Sequence, residues 1–130
     1  MQFALGVFGA PYTHQASDTA YKFALAALDN GHSIYRIFFY HDGVLNANGL
    51  SVPPQDEVNM VNRWAKLGGD YKVELAVCIA ASLKRGILDK GEADRYEKAH
   101  FNIHPGFTIV GLGQWIDAML QSDRTIVFGT

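Results

Sequence analysis

At 130 residues the chain is long enough for one domain (1–130) around one hydrophobic core, and 48% hydrophobic with 18% charged residues is an ordinary globular balance. A net charge of −2 and a pI near 6.2 argue against a nucleic-acid surface, for which a basic stripe is expected. A single cysteine excludes an internal disulfide and a cysteine-rich zinc site, and fits a reducing compartment.

The N-terminal apolar run lacks a basic flank and is broken by Gly9 and Pro11, which is too short for a signal peptide. No stretch approaches the ~20 apolar residues of a membrane span. A soluble cytoplasmic protein is expected.

Residues 2 to 8 (QFALGVF) form an apolar run closed by Gly-Ala-Pro, the pattern of a buried strand. From about Gln15 to Asn30 the period changes: Ala20, Phe23, Ala24, Ala27 and Leu28 recur at helical spacing, and Asn30-Gly31 is a stop signal. Residues 34 to 40 (IYRIFFY) are dense in β-branched and aromatic types and predict a second strand. A Gly-, Asn- and Pro-rich loop follows. Pro54, Asp56 and Glu57 suit the first turn of a helix whose apolar face is Val58, Val61, Trp64 and Ala65, ended by Gly68-Gly69.

Residues 71 to 78 (YKVELAVC) predict a third strand, and about Ala80 to Arg85 a short helix stopped by Gly86. Asp89 and Glu92 resemble a capping box. Phe107 to Val110 is a short fourth strand, Leu112 to Leu120 has helical spacing, and Arg124 to Phe128 is a fifth strand. Strands alternating with amphipathic helices predict an α/β fold, a three-layer α/β/α sandwich with a mainly parallel sheet of about five strands. In such folds reactive groups collect outside the carboxyl ends of the strands.

Cys78 ends the third strand and immediately precedes a helix. The N–H groups there would favour a thiolate, by about 0.3–1 kcal/mol at an exposed helix end. Free cysteines are also common as small buried hydrophobes. Both readings fit the position. His14 and His41 follow the first two strands at the same sheet edge, and either could serve Cys78 as a base or be a solvated loop histidine. His100 and His104 are four apart, but Pro105 argues against a continuous helix, and no carboxylate or cysteine completes a metal pattern.

GAPYTHQAS lacks the glycines of a phosphate loop, and Gly111-Leu112-Gly113 reads as turn geometry, so no cofactor is expected. Asp89, Glu92, Asp94 and Glu97 alternate with Lys90, Arg95 and Lys98 as a solvated helix face. Residues 42 to 50 and 101 to 107 carry apolar groups in irregular segments, to cover the core edge or to supply a subunit interface.

Four segments in order, GAPYTHQASDTAYKFALAAL, GHSIYRIFFYHDGVLNAN, VELAVCIAASLKRGILD and FTIVGLGQWIDAMLQSDRTIVF, resemble the DsrE/TusD family of sulfur-relay proteins nearly end to end. The resemblance implies a compact α/β fold on a five-stranded, mainly parallel sheet. It implies a sulfurtransferase whose cysteine in V-C-x-A-A-x-x-R-G, here Cys78, accepts sulfane sulfur as a persulfide. It further implies a heterohexamer with two related small subunits (DsrF/TusC-like and DsrH/TusB-like) and exchange with a DsrC/TusE-like carrier protein. One branch of the family serves tRNA 2-thiouridine synthesis and the other oxidation of stored sulfur, and the overall likeness favours oxidation. The alternative is a scaffold subunit with Cys78 merely packed.

Overall fold

A computed structural model describes residues 1–129. In chain order the elements are β1 (Gln2–Val7), α1 (Ala16–Asp29), β2 (Ser33–Phe39), a 3-10 helix (His41–Ala47), α2 (Met60–Tyr71), β3 (Glu74–Cys78), α3 (Ile79–Lys84), α4 (Lys90–Arg95), β4 (Thr108–Val110), α5 (Gly113–Gln121) and β5 (Arg124–Phe128). The five strands form one sheet in the order β4-β3-β2-β1-β5, and every pairing is parallel. The expected α/β fold and strand count are both present.

Successive side chains on a strand point to opposite faces, and that alternation sorts the core. Phe39 meets Trp64 of α2 edge-on at 5.3 Å, whereas Phe38 stacks on Trp115 of α5 at 5.6 Å. So α2 covers one face and α5 the other. Gly6 belongs to the α5 face, where a Cβ would stand 3.0 Å from the Trp115 ring; the glycine lets the indole lie against β1. On the same face Arg36, buried in β2, bonds Glu74 at 2.6 Å, Asp117 at 3.0 Å and the Gln114 carbonyl at 2.8 Å, which ties α5 to β2 and β3.

The longest departure from expectation is around α2. It begins at Met60, not near Pro54, because the Asn59 side chain accepts from the Asn62 N–H and caps the helix there. Val58 therefore lies outside the helix and is exposed, while Val61 and Trp64 are buried as expected. Nor do Gly68 and Gly69 end it. The helix runs on to Tyr71, and the C-cap residue Lys72 takes the left-handed conformation (φ 55°). Gly68 serves instead as a point of close approach, since a Cβ there would stand 3.0 Å from Leu75 of β3.

The loop after β2 is also more ordered than its composition suggests. Its 3-10 helix buries Gly43, Val44, Asn46 and Ala47. Asn46 accepts from the Trp64 indole N–H at 3.2 Å and donates to Ser17 Oγ and the Gly43 carbonyl; Ser17 Oγ in turn donates to the Gly9 carbonyl. This buried polar network joins the ends of β1, α1, α2 and the loop. Each buried polar atom in it has a partner, which removes the desolvation cost of placing them there.

Candidate active site

Cys78 is the last residue of β3 and the N-cap residue of α3, with extended backbone (φ −62°, ψ 125°). Its register partner is Val110, the last residue of β4. Two observations place the β3-to-β4 connection on the α2 side: Gly106 packs against Ala65 of α2, and Phe107 meets Phe39 at 5.4 Å. The chain leaving β4 enters α5 on the opposite face. The chain therefore leaves β3 and β4 toward opposite faces at their carboxyl ends, and Cys78 with Val110 stands at that topological switch point. Open α/β sheets bind their ligands at such points, because the diverging connections leave a crevice.

The alternation continues past the strand ends. Tyr40 has extended backbone (φ −137°, ψ 165°) and follows Phe39, which pairs with Val77. Tyr40 thus falls next to Cys78, on the other side from Val110. Phe8 meets Tyr40 edge-on at 5.5 Å, and His41 stacks on Tyr40 at 4.2 Å. A row Phe8, Tyr40, Cys78, Val110 crosses the carboxyl edge of the sheet. Cys78 as a residue is 3% exposed and belongs to the core cluster, and its side chain makes no cap hydrogen bond to α3.

The two histidines part company. His41 is exposed and reaches the aromatic row through Tyr40 and Phe8. His14 lines a separate depression of about 280 Å³ beside Tyr12, Asp18 and Arg63, of which Cys78 is not a part. Among the described residues neither imidazole hydrogen-bonds the thiol. His104 Nδ1 accepts from the Gly106 N–H at 2.9 Å, a turn contact, while His100 lines a groove beyond α3. Among the described residues no three His, Cys, Asp or Glu side chains converge to hold a metal ion.

Arg85, the C-cap residue of α3, bonds Asp42 of the 3-10 helix at 2.8 Å and donates to the Ala81 carbonyl at 3.2 Å, joining the two segments that flank Cys78. Asp89 accepts from the Glu92 N–H at 2.8 Å, the first arm of the expected capping box. Tyr40 and Val110 are neighbours of Cys78 that residue types alone did not single out. The signal that finds them is strand register, available only once the pairing order is known.

A model of the DsrE/DsrF-like family matches residues 1–128. This chain belongs to that family. Among the relatives of this DsrE/DsrF-like chain is a protein of Allochromatium vinosum named "Putative sulfurtransferase DsrE", 56% identical over 129 residues, covering 99% of each sequence. Another is "Sulfurtransferase TusD" of Klebsiella pneumoniae, 44% identical over 128 residues, covering 98% of this chain and 100% of that one. The crystal structure of the ychN protein from E. coli superposes with a TM-score of 0.72 at 20% identity, over 98% of this chain and 100% of that one, and shows the shared fold. The expected family, fold and sulfurtransferase class agree with these findings.

Proposed function

We propose that this sulfurtransferase carries sulfane sulfur on Cys78 in a cytoplasmic sulfur relay. The observation that carries the reading is the position of the chain's one thiol, at the carboxyl edge of β3 on the β3/β4 switch point. The Cys78 thiolate attacks the outer sulfur of a donor persulfide R–S–SH. The new bond is Cys78 S–S, the bond broken is the donor's S–S, and R–S⁻ leaves while the proton stays with the transferred sulfur. In the second step an acceptor thiolate attacks the outer sulfur of Cys78–S–SH, becomes the persulfide, and releases the Cys78 thiolate. One cysteine suffices for both steps.

The acceptor or donor in this reading is a small carrier protein of the DsrC/TusE kind, and the working form is a heterohexamer with DsrF/TusC-like and DsrH/TusB-like subunits. The family membership supports this, and the exposed stripe Leu112, Ile116 and Leu120 on α5 supplies apolar surface for such neighbours. The higher identity to the relative named DsrE than to those named TusD supports the branch that oxidises stored sulfur over tRNA thiolation. No helix among the described residues is long and apolar enough to cross a membrane.

At 3% exposure Cys78 also fits a packed, non-catalytic residue, and one experiment separates the two readings. After incubation with polysulfide, intact-mass spectrometry should show a gain of about 32 Da on the native chain and none on Cys78→Ser. Equal loading of both chains, or no loading of either, overturns the proposal.

A further inference from the structure

A groove of about 850 Å³ opens beyond the far end of α3, between that helix and the segment after α4. Its apolar wall includes Leu83, Leu88 and Tyr96; Lys84, Lys98 and His100 supply the polar groups, and no carboxylate lines it. A smaller depression of about 160 Å³, lined by Leu50 and Phe101, shares Gly86, Leu88 and His100 with it. Tyr96 is 49% exposed and Phe101 53% exposed, and with Leu50 at 71% they form apolar surface along the two connected depressions.

The charges in the groove are all of one sign. Lys22, Lys66 and Lys90 each pair with an aspartate four residues away on their own helix. Lys72, Lys84 and Lys98 form no ion pair among the described residues; of these, Lys84 and Lys98 share the groove, whose lining does not include the exposed Glu97 between Tyr96 and Lys98. Two free ammonium groups and an imidazole over an apolar, aromatic floor match an extended segment that carries both carboxylates and bulky apolar side chains. The net charge of −2 and the presence of only three such groups do not suit a nucleic-acid backbone.

We propose that this groove docks an acidic, apolar segment of the protein that exchanges sulfur with Cys78. The proposal rests on the persulfide reading above and names the surface that its partner uses. The placement is economical: Leu83 is five residues along α3 from Cys78, a rise of about 8 Å. At ~3.3 Å per residue, an extended segment covers that rise in about three residues. Tyr96 is the aromatic anchor and Lys84 and Lys98 the charge readers.

A phage-displayed library of random dodecapeptides selected on the full chain tests this, in parallel with Lys84→Glu/Lys98→Glu, whose two sites are exposed. Circular dichroism verifies that the variant keeps the native fold. The native chain should enrich peptides rich in Asp or Glu together with Leu, Phe or Tyr. By fluorescence anisotropy the best of them should bind the double variant about tenfold or more weakly, with affinity on the native chain falling as salt rises. Cys78→Ser should bind the same peptide as the native chain does, so a failure of docking and a failure of sulfur loading are read separately. Enrichment of basic or neutral peptides, or equal affinity for the double variant, overturns the proposal. So does self-association of the native chain in sedimentation that the double variant abolishes, which would assign the groove to a second copy.

Discussion

Gly43→Ala tests whether the 3-10 helix positions the carboxyl edge of the sheet. A Cβ at Gly43 would overlap the Val7 carbonyl oxygen, stand 2.7 Å from the Val7 carbonyl carbon and 3.2 Å from Phe8 Cα. Optimal carbon–carbon contact lies at 3.5–4.0 Å, so the segments must part by about 1 Å. The obstacle is backbone on both sides and cannot rotate away. That Val7 carbonyl also accepts from the Tyr40 N–H at 3.0 Å, and Gly43 itself donates to the Tyr40 carbonyl at 2.9 Å. The displacement therefore reaches Tyr40, the neighbour of Cys78.

Overpacking of this kind costs about 1–3 kcal/mol. With an unfolding entropy of about 0.27 kcal/mol/K for a chain of this length, the melting temperature should fall by roughly 4–11 °C. Thermal unfolding followed by circular dichroism measures that, and alkylation of Cys78 by iodoacetamide should be faster in the variant as the carboxyl edge of the sheet loosens. A variant that melts within about 1 °C of the native chain and alkylates at the same rate refutes the argument.

Three further expectations concern the core and its polar ties. Trp64→Phe keeps the edge contacts to Tyr21 and Phe39 but leaves Asn46 Oδ1 without its indole donor; it should cost about 1–3 kcal/mol in urea unfolding, and a cost near zero would remove the network from the account. Ser82, one turn after Cys78, is fully buried, and its Oγ has no hydrogen-bond partner among the described residues. Ser82→Ala should leave stability unchanged or raise it by up to about 1 kcal/mol, with polysulfide loading intact, whereas a clear loss would show that the hydroxyl is used. The Arg36 guanidinium, and then the Tyr35 hydroxyl, hold Asp117 below the ordinary carboxylate range. A lowered folded-state value means that the contribution is complete above the ordinary Asp pKa and is lost as pH falls through the folded value. Acid titration should therefore show that Asp117→Asn loses less stability than the native chain below pH ~4, and parallel titration curves would contradict the assignment.

The alternation of strands and helices was readable in the sequence because its periods are local: two residues for a strand, 3.6 for a helix. The same locality explains the misplaced start of α2. Pro54, Asp56 and Glu57 are sound first-turn residues, and only the Asn59 side chain on the Asn62 N–H decides between two plausible starts. Gly68-Gly69 reads as a stop signal in one dimension, while its tolerance inside α2 follows from the nearness of Leu75, which is a contact between elements.

For the site, the sequence by itself determined that there is one thiol, that it closes a strand and opens a helix, and which family's segments surround it. Tertiary structure decided what stands around that thiol. Tyr40 and Val110 flank it because β2, β3 and β4 pair side by side in parallel register, and the switch point exists because the chain turns to opposite faces after β3 and β4. The same packing leaves His14 in a different depression and gathers Lys84, Tyr96 and Lys98 into one groove. Strand order and helix side are set by long-range pairing and burial, which no local run of residues encodes.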